Sequence, residues 1–158
     1  MLKVGEKAPD FKLFNSDANL VELSSFKGKN VVLLFFPFAN TGVCTKELCS
    51  FRDSLHEYET LNAQVLAVSV DSPFALQLWA KQQNFNFPLL SDFNKTTAKA
   101  YDSLFDVFVP GKFDYAGVAK RSAFVIDKEG VIQYVEVLAT PGEEPNYDAI
   151  SKVLAGLN

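Results

Sequence analysis

The fold of this chain is decided by residues 37–49, Pro37-Phe38-Ala39-Asn40-Thr41-Gly42-Val43-Cys44-Thr45-Lys46-Glu47-Leu48-Cys49. The six residues before them, 31–36, are all apolar and rich in β-branched and aromatic types. Such a run is typical of a buried strand. Proline has no N–H to donate to a β-ladder, so Pro37 ends the strand and the chain can turn into a helix.

The segment that follows predicts an amphipathic helix over about residues 43–61. Its apolar side chains recur at steps of three and four: Leu48, Phe51, Leu55 and Tyr58. Cys44 lies four residues before Leu48, so it falls in the first turn on the side that faces the core. There the unpaired N–H groups and the positive end of the helix dipole stabilise a thiolate over a thiol. We interpret Cys44 as a reactive cysteine.

Length and charge limit the classes of protein to consider. A chain of 158 residues can bury a core without metal or disulfide support, and we expect one domain over residues 1–158. The net charge of -4 gives no reason to expect nucleic acid or an anionic membrane as a partner. No apolar run approaches the ~20 residues of a membrane span, and the first residues do not resemble a signal peptide. We expect a cytoplasmic location.

The few cysteine and histidine residues also carry information. Two cysteines and one histidine are too few for a convincing zinc site, and we expect neither a metal nor a cofactor. In a reducing compartment two cysteines are poor candidates for a structural disulfide. A redox or nucleophilic use of the cysteines is therefore favoured.

Strands and helices alternate along the rest of the chain. The predicted elements are an opening hairpin (11–14 with 19–23), a strand at 63–70, a helix from the cap Asp71-Ser72-Pro73 to Asn84, a strand at 87–91, a short helix at 95–101, a long loop at 102–117, a hairpin (123–127 with 131–137) and a last helix at 146–157. This order predicts an α/β, thioredoxin-like fold: a central mixed β-sheet flanked by helices, with an N-terminal hairpin. The pattern alone leaves other α/β arrangements open.

One motif resembles a known family. Pro37-x-x-x-Thr41-x-x-Cys44-x-x-Glu47, together with Arg121 just before a predicted strand, resembles the peroxiredoxins. The likeness extends over nearly the whole chain. Residues 35–53 and 87–92 look most like the alkyl hydroperoxide reductase E branch. The peroxiredoxin Q (bacterioferritin comigratory protein) branch ranks second, because it usually has proline where this chain has Gly42.

The resemblance implies a thiol-dependent peroxidase that reduces hydrogen peroxide and organic hydroperoxides and forms a sulfenic acid at Cys44. Thr41 would hydrogen-bond the sulfur and the peroxide, unless it serves only as the helix N-cap. Arg121 would favour the thiolate and bind developing negative charge. Pro37 would shield the pocket from water, and Glu47 would orient the arginine.

Cys49 decides how the sulfenic acid is reduced, and two alternatives stay open. Five residues along an α-helix place two Cα atoms about 8.6 Å apart, beyond the reach of a disulfide, so a Cys44–Cys49 bond requires the helix start to unwind. Either it does so, and a thioredoxin- or glutaredoxin-like partner reduces the disulfide, or a partner thiol attacks Cys44 directly. The E branch implies a homodimer formed near the active site, and the Q branch a monomer.

Two other functions share the predicted fold. A thioredoxin-type disulfide oxidoreductase needs two residues between its cysteines, and this chain has four between Cys44 and Cys49. A non-enzymatic redox sensor would have no use for the combined set of motif residues and arginine. We interpret Arg52 and Asp53 as solvated or paired surface charges, and Trp79 as a core residue.

Overall fold

The computed structural model describes residues 2–158. The strands are β1 (Lys12–Asn15), β2 (Leu20–Glu22), β3 (Asn30–Phe35), β4 (Ala63–Ser69), β5 (Leu89–Ser91), β6 (Ser122–Ile126) and β7 (Ile132–Val137). The α-helices are α1 (Gly42–Asp53), α2 (Leu55–Thr60), α3 (Pro73–Gln83), α4 (Thr96–Ala100) and α5 (Tyr147–Gly156), and Leu23–Phe26 form a 3-10 turn. Within residues 2–158, no helix combines the length and apolar character needed to cross a bilayer.

All seven strands belong to one mixed sheet in the order β2-β1-β5-β4-β3-β6-β7. The three central strands β3, β4 and β5 run parallel, and the remaining pairs are antiparallel. The opening hairpin is β1 with β2, and the late hairpin is β6 with β7. Both predicted hairpins and the predicted thioredoxin-like fold are confirmed.

The strand before Pro37 divides the core into two halves. Successive side chains of a strand point to opposite faces of its sheet. Val32, Leu34 and Phe36 pack on the face covered by α1, α3 and α5, where Cys44 also lies. The alternate residues of the strand pack on the other face, with α4. Every residue of the run 31–36 is buried, so the predicted buried strand is confirmed.

The antiparallel pairing of β3 with β6 sets the position of Arg121. Phe35, the last residue of β3, pairs with Ser122, the first residue of β6. The residue before Ser122 therefore lies at the same end of the sheet as Pro37 and the start of α1. The strand pairing therefore places Arg121 beside the first turn of α1, although the two are far apart in the sequence.

The predicted continuous helix over residues 43–61 is wrong at one point. Ser54, with φ -104° and ψ 10°, leaves helical geometry and separates α1 from α2. Across this break Tyr58 packs on Phe51, with ring centroids 5.1 Å apart. Phe51 and Tyr58 are seven residues apart and stay on one apolar face, so the helical periodicity continues through the break and gives no sign of it.

The predicted limits of α3 are confirmed by its two caps. At its start the Ser72 side chain accepts a hydrogen bond from the Ala75 N–H at 3.2 Å, and Pro73 is the first helical residue. At its end Asn84 adopts a left-handed conformation, with φ 54°. Trp79 is buried against Phe36, as predicted.

Candidate active site

Cys44 lies in the first turn of α1 and is 1% exposed. Thr41 occupies the N-cap position, and its carbonyl accepts the first helical hydrogen bond, from the Thr45 N–H. The N–H groups of the first turn have no acceptor within the helix, and they stand at the positive end of its dipole. A sulfur in this position is stabilised as an anion.

Arg121 supplies the cation that faces this sulfur. Its Nη2 donates to Cys44 Sγ at 3.2 Å and to the Pro141 carbonyl at 2.9 Å. Although burial opposes it, the charges of Glu47 and Cys44 raise the pKa of Arg121 above its ordinary value, so the guanidinium stays protonated. Arg121 is 1% exposed, which means that its charge acts on the sulfur with little screening by water.

Glu47 holds the other edge of the same guanidinium. Its Oε2 accepts from Arg121 Nη1 at 2.5 Å, and the carboxylate is fully buried. Burial raises the pKa of Glu47 to about 7, and the positive charge of Arg121 offsets this only in part. Glu47 Oε1 has no hydrogen-bond partner among residues 2–158. Two acidic groups, Cys44 and Glu47, therefore share one cation.

Thr41 differs from the expectation at its side chain. The hydroxyl donates to the Phe38 carbonyl at 2.8 Å, and it neither caps α1 nor hydrogen-bonds the Cys44 sulfur. Thr41 is exposed, and its hydroxyl closes the loop between Pro37 and the helix. The predicted N-cap position is correct, but the predicted side-chain contact with sulfur is not formed in this structure.

Asp71 fixes the loop that carries Pro37, a role that was not predicted from the sequence. Asp71 Oδ2 accepts from the Ala39 N–H at 2.8 Å and from the Ser69 hydroxyl at 2.7 Å. Pro37 itself is buried. A signal was available, because Asp71 follows β4, and the carboxyl ends of the parallel strands β3 and β4 meet at one edge of the sheet.

Cys49 does not meet Cys44 in this structure. Both cysteines are free, and Cys49 is partly buried on α1. Its Sγ lies 3.7 Å from Gln83 Oε1, at the end of α3. The motif residues Pro37, Cys44 and Glu47 are thus brought together with Arg121, while Cys49 faces a different helix.

Aromatic side chains border the site on the side of the loop 102–117. We call Phe38, Phe105, Phe108, Phe113 and Tyr115 the aromatic cluster. Phe38 contacts Phe108 and Tyr115 edge-on, with ring centroids 5.5 and 6.2 Å apart. Phe113 is 45% and Tyr115 50% exposed, so the aromatic cluster presents an apolar surface to solvent beside the loop that leads from Pro37 to α1.

A separate cavity of about 150 Å³ lies away from these residues. Its apolar lining includes Leu23, Val31 and Ile126, on the opposite face of the sheet from Cys44. None of the residues that surround the sulfur lines it. The chemistry of the Cys44 turn is therefore independent of this cavity.

A thioredoxin-like sheet that buries a cysteine at a helix start, against a buried arginine, is the arrangement expected of a cysteine-dependent peroxidase. The model of the AhpC/TSA family matches residues 4–135. This chain belongs to the AhpC/TSA family, and it is a thiol-dependent peroxidase with a peroxide as substrate and a thiol as reductant.

Individual relatives agree with this assignment. The chain is similar to alkyl hydroperoxide reductase E of Mycobacterium tuberculosis, with 42% identity over 99% of each sequence. It is also 38% identical to the chloroplastic peroxiredoxin Q of Triticum aestivum, over 83% of this chain and 57% of the relative. The crystal structure of peroxidoxin BcpB from M. tuberculosis superposes with a TM-score of 0.87 and 28% identity, over 100% of this chain and 99% of that one.

Proposed function

We propose that Cys44 is the peroxidatic cysteine, and that it reduces hydrogen peroxide and organic hydroperoxides. The thiolate attacks one peroxide oxygen, an S–O bond forms and the O–O bond breaks. The departing oxygen takes up one proton and leaves as water or an alcohol. The sulfur becomes a sulfenic acid, and the peroxide is reduced by two electrons.

The observation that carries this proposal is the 3.2 Å contact between Arg121 Nη2 and Cys44 Sγ. A fully buried guanidinium favours the ionised sulfur, which is the nucleophile. The same charge stabilises the negative charge that develops on the departing oxygen. First-turn N–H groups of α1 add donors for the peroxide oxygens.

The other motif residues support this reaction from around the sulfur. Pro37 keeps water away from the reacting atoms, which limits further oxidation of the sulfenic acid. Thr41 holds the loop closed through Phe38, and its hydroxyl can turn from that carbonyl to the peroxide. Glu47 positions the guanidinium by holding Nη1, which leaves Nη2 directed at Cys44.

Cys49 offers one of two routes back to the thiol. In the first route the start of α1 unwinds and Cys49 forms a disulfide with Cys44, which a thioredoxin- or glutaredoxin-like protein then reduces. In the second route the partner thiol attacks the Cys44 sulfenic acid directly. The first route is supported by position, because the first turn of a helix has the fewest helical hydrogen bonds to lose.

The cysteines also bear on where the protein is located. The two free cysteines fit a reducing compartment, and we place the protein, acting as one domain, in the cytoplasm.

The aromatic cluster fits a homodimer contact, because an exposed apolar surface beside the site is best covered by a second copy of the same surface. Sedimentation of the wild-type chain and of Phe113→Asp tests the dimer. A wild-type monomer would contradict it.

Stopped-flow oxidation of the wild type, Cys44→Ser and Cys49→Ser tests the reaction. Hydrogen peroxide and an alkyl hydroperoxide serve as alternative substrates. We expect Cys44→Ser to lose the fast phase, and Cys49→Ser to retain it while turnover with a thioredoxin is impaired. A fast phase that survives in Cys44→Ser would exclude Cys44 as the nucleophile, and unimpaired turnover in Cys49→Ser would select the direct route.

A further inference from the structure

We propose that Arg52 is a positioning residue for Cys49, and that with Gln83 it prepares this thiol to attack the Cys44 sulfenic acid. The inference rests on the proposed function, since it concerns the route in which Cys49 forms the disulfide. Arg52 then places a positive charge near the second cysteine, although it does not donate directly to the sulfur as Arg121 does to Cys44.

The first support is the distribution of arginine. The chain contains only two arginines, Arg52 and Arg121, and two cysteines. Arg121 contacts Cys44. Arg52 lies three residues after Cys49 on the same helix, and side chains at that spacing are neighbours on one helix surface. The thirteen remaining basic residues are lysines, so each cysteine has one guanidinium beside it.

The second support is that Cys49 and Arg52 share one partner on a different helix. Gln83, the last residue of α3, accepts from Cys49 Sγ through its side-chain oxygen, at 3.7 Å. Its backbone carbonyl accepts from Arg52 Nη1. The two bonds tie this turn of α1 to the end of α3. Residues 49–52 are thereby anchored to α3, whereas the start of α1 is tied to Arg121 through Cys44 and to Glu144 through Lys46.

Polar contacts hold Arg52 on the part of α1 that carries Cys49. Its Nε donates to Asp53 at 2.9 Å, and the Asn86 side chain donates to its carbonyl at 3.5 Å. The pKa of Arg52 is raised, chiefly by the bond to Asp53 and further by its electrostatic interaction with Cys49. Asp53 therefore occupies one edge of the guanidinium, and the partner contributed by α3, Gln83, is neutral.

These contacts indicate which of the two cysteines moves when the disulfide forms. The first turn of α1, which carries Cys44, unwinds, and Cys49 stays at its anchored position. The Cys49 thiolate attacks the sulfenic sulfur, so that an S–S bond forms and the S–O bond breaks. Hydroxide leaves and combines with the proton that Cys49 released, which gives water. Arg52 stabilises the thiolate before the attack, and again when Cys49 is the leaving group during reduction.

Rapid-quench mass spectrometry after one equivalent of hydrogen peroxide tests the inference. It separates the sulfenic acid from the intramolecular disulfide. The variants are Arg52→Gln, Arg52→Lys and the control Lys81→Gln, which removes an exposed charge from the last turn of α3. We expect Arg52→Gln to form sulfenic acid at a rate within about two-fold of the wild type and the disulfide about ten-fold more slowly near neutral pH.

The pH dependence of the disulfide rate shows whether Arg52 acts through its charge or only through its packing. In Arg52→Gln the disulfide rate should recover as the pH rises, because the thiol then ionises without help. Lys81→Gln should stay close to the wild type, and Arg52→Lys should lie between the wild type and Arg52→Gln, because it keeps the charge but cannot contact both Gln83 and Asp53. A disulfide rate in Arg52→Gln that is unchanged, or is lowered equally at every pH, overturns the inference alone. A wild type that forms sulfenic acid but no disulfide overturns the role of Cys49 and this inference with it. A wild type that forms neither overturns the proposed peroxidase chemistry.

Discussion

Arg121 and Cys44 are 77 residues apart in sequence, yet the guanidinium donates directly to the sulfur at 3.2 Å. The antiparallel register of β3 and β6 makes this contact, and the buried carboxyl of Glu47 holds the guanidinium in place. The reactivity of the site thus depends on how one strand pairs with another. It is a property of the folded sheet as much as of the cysteine motif.

Replacement of Arg121 by Gln should slow the peroxide reaction strongly. The sulfur loses its cation, and the developing oxyanion loses a donor, which together should cost about 100-fold in the second-order rate constant. The rate constant of Arg121→Lys should lie between those of the wild type and Arg121→Gln. An ammonium group keeps the charge but cannot contact both Cys44 and Glu47, as the two NH2 groups of a guanidinium do. Stopped-flow kinetics with hydrogen peroxide measure both variants. Equal rates for all three proteins would contradict the role of Arg121.

The same substitution should also destabilise the fold. Arg121→Gln leaves Glu47 buried without a cation, and such a change costs about 3 kcal/mol in the free energy of unfolding. The double variant Arg121→Gln with Glu47→Gln should recover much of this stability and none of the activity. Urea titrations measure the first effect and peroxide kinetics the second. Recovery of both together would mean that Arg121 acts on activity only through stability.

Glu47 should make the free energy of unfolding depend on pH. Its pKa is raised from 4.5 to about 7 in the folded protein, so the folded state binds this proton more tightly than the unfolded chain. The resulting stability is full below about pH 4.5, declines as the pH rises towards about 7, and is absent above that value. Glu47→Gln should lack this component.

The measurement compares urea titrations of the single variant Cys44→Ser with those of the double variant Cys44→Ser with Glu47→Gln across this pH range. Removing the thiol excludes its own ionisation from the comparison. The stability of the single variant relative to the double variant should fall as the pH rises. A relative stability that grows with pH would show instead that the folded state prefers the charged carboxylate.

Thr41→Val should reduce the rate of peroxide reaction about tenfold, since it removes the hydroxyl that closes the loop on Phe38. Thr41→Ser keeps the hydroxyl and should remain near the wild type. Initial rates at several peroxide concentrations distinguish weaker peroxide binding from slower chemistry. If the two variants behave alike, only the backbone of Thr41 contributes.

Val109 should be a site of stored strain in the loop beside the aromatic cluster. Its φ of 47° is in the left-handed region, which a β-branched residue rarely adopts. Val109→Asn should therefore raise the free energy of unfolding by about 1 kcal/mol. Val107→Asn, at an exposed position of the same loop, is the control and should give no gain. Thermal unfolding measures both, and equal shifts would rule out relief of strain.

Much of the fold could be predicted because local patterns and tertiary structure agree. The apolar run at 31–36 is buried on both faces, and the caps at Ser72 and Asn84 end α3 where the sequence predicts. The motif likewise places Cys44 in the first turn of α1, where the structure has it. In each case a short segment of sequence determines the outcome by itself.

The remainder depends on small differences in local geometry and on contacts between distant segments. The break at Ser54 and the hydroxyl bond of Thr41 to Phe38 are choices between local geometries of similar energy. The Pro141 carbonyl on Arg121 and the Gln83 contact with Cys49 arise where separate elements pack together. A sequence predicts that such segments are close only after their order in the sheet is known.

The most direct test is the pH dependence of the first oxidation phase, in the wild type and in Arg121→Gln. If Cys44 is held ionised by the helix start and Arg121, the wild-type rate with hydrogen peroxide should already be at its plateau at neutral pH. In Arg121→Gln the rise should move to alkaline pH. A wild-type rate that climbs through the alkaline range, as it does for an ordinary free thiol, would contradict the account.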